Sequence, residues 1–280
     1  MNSSTLISCE ILAEHLNDPN WRIFDCRHLL SDVAYGARVY AEGHLPGAFF
    51  MRLDSDLSGP MTGSNGRHPL PEMSPLMSKL GAAGVTSQTQ VVVYDDVGGM
   101  VAGRLWWMLR WLGHQHVALL DGGITHWLKQ GRPVSAELPK SAPTVFSGAT
   151  QPGWTVSTAD VLATLGTHEY CVVDARAPDR FRGENETLDP VGGHIPGARN
   201  RFFKDNLDAD GLFRSSAELR PEFLSLFAGV EPKHVIMQCG SGVSACHNLL
   251  AMEIAGLHGA KLYVGSWSEW CSDPRRPVAR

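Results

Sequence analysis

The chain contains one internal repeat, and this repeat constrains its fold more than any other feature of the 280 residues. In the first half, WRIFDCR is followed by GHLPGA; in the second half, CVVDAR is followed by GHIPGA. Asp25 thereby corresponds to Asp174, and His44 corresponds to His194 at nearly the same offset. A later stretch, VVVYDDVGGMVAG, corresponds in the same way to VIMQCGSGVSAC. The sequence therefore predicts two copies of one folding unit, which agrees with a prior of ~150 residues per domain.

Each copy is predicted to have an α/β fold. Short runs of β-branched or apolar residues, such as RIFDC, VVVYD, CVVDA and VIMQC, are typical of buried parallel strands. Helical stretches such as 101–112 and 243–255 lie between them. Because strands alternate with helices, we expect two tandem domains, each a parallel sheet with helices on both faces. The predicted boundaries are an N-terminal domain at 1–136, a linker rich in Pro, Ser, Gly and Thr at 137–155, and a C-terminal domain at 156–280.

Composition and charge exclude several classes of protein. With 43% hydrophobic and 19% charged residues, the chain has the composition of a globular protein. A net charge of −5 without a basic stripe gives no support for a nucleic-acid partner. No apolar run reaches the ~20 residues that span a bilayer, so no membrane association is expected. The start of the sequence lacks a basic segment followed by an apolar one, which predicts a cytoplasmic protein without an export signal.

The six cysteines are scattered, without a CxxC pair or a histidine spacing suited to zinc. We therefore expect reduced thiols and no metal site. Most of the cysteines are predicted to be small buried hydrophobic residues; this group comprises Cys9, Cys26, Cys171 and Cys246. The histidines of the GHLPG and GHIPG turns, His44 and His194, are expected to bond local backbone groups rather than to act in catalysis.

The two copies differ at one strand-to-helix junction, where Cys239 of the second copy replaces Asp95 of the first. Open α/β sheets bind ligands where a loop leaves the carboxyl end of a strand. Gly240 and Gly242 allow the following loop to curl so that successive N–H groups point inward, which makes an anion-binding nest at a helix N-terminus. Such surroundings favour a thiolate over a thiol, whose pKa in a free cysteine is ~8.5. Cys239 is therefore the predicted nucleophile, and the first copy is predicted to lack catalytic activity.

Two kinds of enzyme use a cysteine loop of this shape. A phosphatase needs an arginine six residues after the cysteine to clamp phosphate, but Ala245 stands there. In a sulfurtransferase, the thiolate attacks a sulfur atom and becomes a persulfide. The backbone amides of Gly240 through Ser244, including those of Gly242 and Val243, are then expected to hold the terminal sulfur.

The whole chain resembles the two-domain rhodanese family. CGSGVSACH is similar to the CGSGVT loop of 3-mercaptopyruvate sulfurtransferases, whereas the loop of thiosulfate:cyanide sulfurtransferases carries Arg and Lys after the cysteine. The C-terminal YVGSWSEW also resembles a rhodanese signature. The resemblance implies that a small-molecule donor, 3-mercaptopyruvate, passes its sulfur to Cys239 as a persulfide and is released as pyruvate. It further implies a thiol acceptor such as a thioredoxin-like protein, or cyanide, and neither a metal nor an organic cofactor.

The resemblance also implies roles for residues outside the loop. In 3-mercaptopyruvate sulfurtransferases a loop serine relays protons with a histidine and an aspartate of the first domain, and Ser241, His68 and Asp56 match these three. A hydroxyl supplied by such a histidine can protonate the pyruvate enolate that remains when sulfur leaves. Arg180, in DARAPDRF, is the implied clamp for the substrate carboxylate. The family commonly has a second arginine nine residues later, where this chain has Asp189.

The sequence leaves two other functions open. A thiosulfate sulfurtransferase is disfavoured by the neutral side chains of the loop, because a dianion is bound better beside Lys or Arg. A non-catalytic sulfur carrier or sensor with this fold would have the same cysteine loop. Turnover with a small-molecule acceptor distinguishes that module from an enzyme.

Overall fold

The computed structural model describes residues 3–280, and these divide into two compact units. The N-terminal unit comprises the described residues up to Gly59, Pro71–Gln151 and Ala209–Phe213, and the C-terminal unit comprises Pro60–Leu70, Pro152–Asp208 and Arg214–Arg280. Each unit is thus discontinuous in sequence. The sequence analysis instead predicts two continuous domains joined by one linker. The change of unit between Gln151 and Pro152 lies inside the predicted linker at 137–155, and the predicted boundaries themselves stay a prediction.

The N-terminal unit contains a five-stranded parallel sheet in the order β1-β5-β4-β2-β3. Its strands are β1 (Leu6–Ile7), β2 (Trp21–Asp25), β3 (Ala48–Phe50), β4 (Gln90–Tyr94) and β5 (Val117–Leu120). Its helices are α1 (Cys9–Glu14), α2 (Tyr35–Glu42), α3 (Met73–Ala82), α4 (Ala102–Trp111) and α5 (Gly123–Lys129). The central strand β4 is buried along its whole length, as expected of a strand covered by helices on both faces.

The C-terminal unit repeats this architecture, with a parallel sheet in the order β6-β10-β9-β7-β8. Its strands are β6 (Thr155–Val156), β7 (Cys171–Asp174), β8 (Arg199–Asn200), β9 (Val235–Gln238) and β10 (Lys261–Tyr263). Its helices are α6 (Thr158–Thr164), α7 (Pro178–Phe181), α8 (Ser216–Phe227), α9 (Ser244–Ile254) and α10 (Ser266–Trp270), with 3-10 turns at Phe203–Asn206 and Pro232–His234. The two sheets correspond strand for strand, which confirms the predicted pair of parallel α/β domains.

Each sheet has its own hydrophobic core. Val92 and Trp127 are fully buried in the core of the N-terminal unit, and Ile236 and Trp267 are buried in that of the C-terminal unit. Removal of such apolar surface from water is the main stabilising contribution to each unit. Across residues 3–280, no helix combines the length and the apolar character needed to cross a membrane.

The GHLPG and GHIPG turns have the structural role expected from the sequence. His44 Nδ1 lies 2.8 Å from the carbonyl oxygen of Tyr40, and its Nε2 lies 3.1 Å from that of Glu137. His194 Nδ1 lies 2.9 Å from the carbonyl oxygen of Phe181. The prediction that both histidines bond local backbone groups is therefore confirmed.

A buried ion pair follows the corresponding strand in each copy. Arg27 donates from Nε and Nη2 to Asp25 at the end of β2, at 2.7–3.1 Å. Arg176 makes the same bonds to Asp174 at the end of β7. Each Nη2 also donates to the carbonyl of the glycine before the turn histidine, at 2.6 and 2.7 Å. The pairs therefore tie the turn to the strand in both units.

Substitution Arg27→Ala should destabilise the protein, because it leaves the Asp25 carboxylate buried without its cation. Loss of one partner of a buried pair typically costs about 3–5 kcal/mol. The urea midpoint should fall accordingly, while Arg38→Ala, which removes a surface pair with Asp32, should leave it unchanged. Equal midpoints for the two variants would show that the buried pair does not brace the turn.

Candidate active site

The cysteine loop lies at the carboxyl end of the central strand of the C-terminal sheet. β9 ends at Gln238, Cys239 follows directly, and α9 begins at Ser244. Because β10 and β7 flank β9, the loop leaves the sheet at its middle. This edge is where parallel α/β sheets bind ligands.

A backbone amide of the loop is directed at the sulfur of Cys239. Gly242 N donates to Cys239 Sγ at 3.1 Å, and Gly242 has a φ of +76°, a left-handed conformation that favours glycine. The backbone N–H of Cys239 is held by Ser266 Oγ at 3.1 Å. Cys239 is only 2% exposed, so its sulfur is shielded from bulk water. The other residues of the predicted nest lie in the same loop or begin α9, and the direction of their amides stays a prediction: Gly240, Val243 and Ser244.

The corresponding loop of the N-terminal unit holds a carboxylate. Asp95 follows β4 as Cys239 follows β9, and its two oxygens accept four backbone N–H bonds at 2.8–2.9 Å, from Val97, Gly99, Val101 and Ala102. Burial raises the pKa of the Asp95 carboxyl, although these bonds oppose the rise. In this copy, the loop is therefore a nest of backbone donors. In the N-terminal copy, a side chain of the chain itself already fills the nest.

Two residues of the predicted proton relay are in contact. His68 Nδ1 lies 2.7 Å from Ser241 Oγ, and both residues are more than nine-tenths buried. His68 belongs to segment 60–70 of the C-terminal unit. The preceding backbone is fixed there, because Arg67 N donates to Ser268 Oγ at 3.0 Å. The histidine and the loop serine can therefore exchange a proton directly.

Asp56, the third predicted relay residue, belongs to the N-terminal unit. Its Oδ2 accepts from the backbone N–H of Arg52 at 2.7 Å and from Lys79 Nζ. These bonds fix the carboxylate within its own unit. Its part in proton transfer stays a prediction.

Arg180, the predicted carboxylate clamp, lies on α7 and is held by an acidic side chain. Its Nη2 donates to both carboxylate oxygens of Glu186, at 2.8 and 2.9 Å, and its Nε donates at 3.2 Å. Burial opposes the ionisation of Glu186, but these bonds outweigh it and the pKa of Glu186 is lowered. A Cβ placed on Gly240 would lie 3.8 Å from Arg180 Nη2. The guanidinium is therefore beside the cysteine loop, with Glu186 fixing one side of it.

Arg67 is a second arginine beside the loop, and it is absent from the residues predicted from the sequence. Its Nη1 donates to Asp189 Oδ1, and its Nη2 lies 2.8 Å from the position of a Cβ on Gly240. Burial raises the pKa of the Asp189 carboxyl, and the charge of Arg67 opposes that rise. No local sequence signal identifies Arg67, because the burial of Asp189 beside it is a property of the folded structure.

The cysteines predicted to be hydrophobic are indeed buried, and Cys246 Sγ donates to a backbone carbonyl of the loop at 3.3 Å. Burial raises the pKa of four other thiols: to about 11 for Cys9 and Cys271, and above its usual value for Cys26 and Cys171. Such thiols are protonated and unreactive at neutral pH. Among the residues that the structure describes, no group of His, Cys, Asp and Glu side chains is arranged to hold a metal ion.

Comparison with known proteins identifies relatives that match the chain from end to end. The Rhodanese-like domain matches residues 8–130 and 157–273. A Pseudomonas aeruginosa protein named "Probable 3-mercaptopyruvate sulfurtransferase" is 46% identical over 281 residues, covering 100% of this chain and 99% of the relative. A Mycobacterium tuberculosis protein named "Putative thiosulfate sulfurtransferase SseB" is 37% identical over 268 residues, covering 94% of this chain and 89% of the relative.

A solved structure shows the same fold. The 3-mercaptopyruvate sulfotransferase SseA from Escherichia coli matches with a TM-score of 0.80 at 32% identity, covering 95% of this chain and 99% of that one. With both halves matched by the domain and relatives matched over their full length, the chain belongs to the rhodanese family. The predicted class of enzyme, a sulfurtransferase, is confirmed by these relatives.

The raised thiol pKa values give a prediction for alkylation. Iodoacetamide reacts with the thiolate, so Cys9 and Cys271 should stay unmodified in the folded protein at pH 8 and become reactive only as the pH approaches about 11. In urea, both should be alkylated at pH 8. Peptide mass mapping reports each site, and equally fast alkylation with and without urea would contradict their burial.

Proposed function

We propose that this sulfurtransferase takes sulfur from 3-mercaptopyruvate, holds it as a Cys239 persulfide, and passes it to a thiol acceptor or to cyanide. The observation that carries the proposal is the Gly242 N–H directed at Cys239 Sγ, next to the hydrogen-bonded pair Ser241 and His68. Such a site supplies a held nucleophile and a proton donor within one loop. The name of the Pseudomonas aeruginosa relative supports this donor.

The first half-reaction exchanges a carbon–sulfur bond for a sulfur–sulfur bond. The Cys239 thiolate attacks the sulfur of 3-mercaptopyruvate, and the electron pair of the broken bond remains on the substrate as pyruvate enolate. The enolate carbon then takes up a proton to give pyruvate. Ser241 Oγ can donate that proton and recover it from His68, whose Nδ1 is 2.7 Å away. Asp56 is proposed to supply the carboxylate that supports the histidine.

In the second half-reaction, an acceptor thiolate or cyanide attacks the outer sulfur of the persulfide. The sulfur–sulfur bond breaks and its electron pair returns to Cys239, which is again a thiolate. The Gly242 N–H stabilises the sulfur that carries negative charge in both steps. We propose that the amides of Gly240, Val243 and Ser244 complete this nest, as four amides do around Asp95 in the other copy.

Arg180 is proposed to bind the substrate carboxylate beside the loop. Its guanidinium is planar and permanently charged, so it suits a carboxylate better than a lysine does. Glu186 fixes its Nε and Nη2 side, which limits the cost of ordering the side chain when substrate binds.

One observation favours a second donor, thiosulfate. Two guanidinium groups, those of Arg67 and Arg180, lie near Gly240 and would attract a dianion. They are paired with Asp189 and Glu186, so the cluster has little excess positive charge and suits a monocarboxylate better. We expect kcat/KM for 3-mercaptopyruvate to exceed that for thiosulfate; the reverse order would assign the enzyme to thiosulfate. Absence of steady-state turnover with cyanide on both donors would instead indicate a carrier or sensor.

The persulfide can be assigned to one cysteine by mass. Exposure to 3-mercaptopyruvate should add about 32 Da, one sulfur atom, to the peptide that contains Cys239. Cys239→Ser should abolish the addition and all turnover, with an unchanged circular dichroism spectrum. Cys246→Ser is the matched control, because Cys246 is buried in the same stretch, and it should keep the addition. Retention of the added mass in Cys239→Ser would refute the assignment.

The proton relay should affect the two half-reactions differently. His68→Ala and Ser241→Ala should slow the release of pyruvate by about 100-fold, the usual contribution of a general acid. Transfer from a preformed persulfide to a thiol should change much less, because no carbon is protonated in that step. Single-turnover measurements of each half-reaction test this, and equal slowing of both would argue against proton delivery by this pair.

A further inference from the structure

We propose that Arg67 is a second substrate-binding arginine, whose Nε–Nη2 edge receives the donor's carboxylate beside Cys239. The inference rests on the proposed function and names a specificity residue for the same site. It follows from the hydrogen bond that Arg67 donates through Nη1 and from the lack of an acceptor at its Nε.

Within residues 3–280, the guanidinium of Arg67 is anchored through Nη1. Nη1 donates to Asp189, whose side chain is 3% exposed. Nε is buried and has no hydrogen-bond partner within residues 3–280. A buried donor without an acceptor is unfavourable, so a ligand oxygen that accepts from Nε would satisfy it.

Three other arginines of the same fold use this edge internally. Arg27 and Arg176 each donate from Nε and Nη2 to one aspartate, and Arg180 donates from the same two atoms to Glu186. Arg67 differs because Asp189 engages Nη1, while Nε has no hydrogen-bond partner within residues 3–280. Two parallel N–H donors match the two oxygens of a carboxylate.

The available edge is next to the nucleophile. Arg67 Nη2 lies 2.8 Å from where a Cβ of Gly240 would be, so the absence of a side chain at position 240 gives the guanidinium its place. Gly240 directly follows Cys239. A short 2-oxo acid with a thiol on the neighbouring carbon can therefore place its carboxylate on Arg67 and its sulfur near Cys239. Asp189 keeps the guanidinium in position and offsets its charge.

Asp189 connects Arg67 to the carboxylate clamp implied by the family resemblance. The resemblance to 3-mercaptopyruvate sulfurtransferases implies a second arginine at position 189, where this chain has an acid. That acid binds Arg67 from segment 60–70, so a second guanidinium lies beside the loop through a different residue.

The test compares steady-state kinetics of four forms of the full chain: wild type, Arg67→Ala, Arg67→Lys and Arg182→Ala. Arg182 is the matched control, because it pairs with Glu184 at the surface. Arg67→Ala should raise KM for 3-mercaptopyruvate at least tenfold, with kcat within about threefold and KM for the thiol acceptor unchanged. The KM of Arg67→Lys for 3-mercaptopyruvate should be several-fold above that of the wild type, because an ammonium group lacks the two parallel donors. Arg182→Ala should match wild type.

A second readout does not depend on sulfur chemistry. The dissociation constant of pyruvate, measured by calorimetry, should rise in Arg67→Ala by a factor similar to that of the KM. A KM and a pyruvate affinity within twofold of wild type would overturn the role of Arg67 while the proposed function stands. Failure of the wild type to gain sulfur from 3-mercaptopyruvate would overturn the proposed function by itself, and the pyruvate constants would still decide whether Arg67 binds a carboxylate. If Arg67→Ala does not fold, Arg67→Lys decides. A KM and a pyruvate dissociation constant equal to those of the wild type in Arg67→Lys would refute carboxylate binding by two parallel donors.

Discussion

Backbone amides hold an acceptor at the end of the central strand in both units, and the proposed site depends on this interaction. In the N-terminal unit, four N–H groups surround the carboxylate of Asp95. In the C-terminal unit, the corresponding loop carries Cys239, and the Gly242 N–H is directed at its sulfur. The Gly242 N–H already points at this sulfur, so it needs little reorganisation when charge develops there.

Under the proposed function, the two copies of one scaffold carry one reactive and one unreactive loop. Both retain the buried Asp–Arg pair after the corresponding strand and the histidine turn that the pair holds. They differ in the side chain that enters the nest. The Asp95 carboxylate accepts four of these amides itself, whereas the proposed function places a second sulfur atom on the Cys239 thiol. On that proposal, the same fold provides chemistry in only one of its two copies.

The sequence predicts the fold well because its signals are local. The repeat, the apolar runs of β4 and β9, and the loop between a strand and a helix can each be identified within a few residues, and the structure has them in those places. The pairing of Ser241 with His68 required the family resemblance, because the two residues are far apart in the chain. Their contact at 2.7 Å is the kind of long-range packing that no periodicity encodes.

Arg67 and Glu186 were beyond sequence reasoning for the same physical cause. Arg67 reaches the loop because segment 60–70 packs on the C-terminal unit, where Gly66 approaches Gly265 so closely that a Cβ would lie 2.7 Å from its carbonyl oxygen. A strand pattern or a spacing rule cannot predict such a contact. The discontinuity of both units has the same origin, since it reflects tertiary packing of short irregular segments rather than any local preference.

The most direct test of the amide nest is a crystal structure of the protein after reaction with 3-mercaptopyruvate. The account predicts a second sulfur bonded to Cys239 Sγ, within hydrogen-bonding distance of the backbone nitrogens of residues 240–244. A persulfide on another cysteine, or an outer sulfur that points away from these nitrogens, would contradict it.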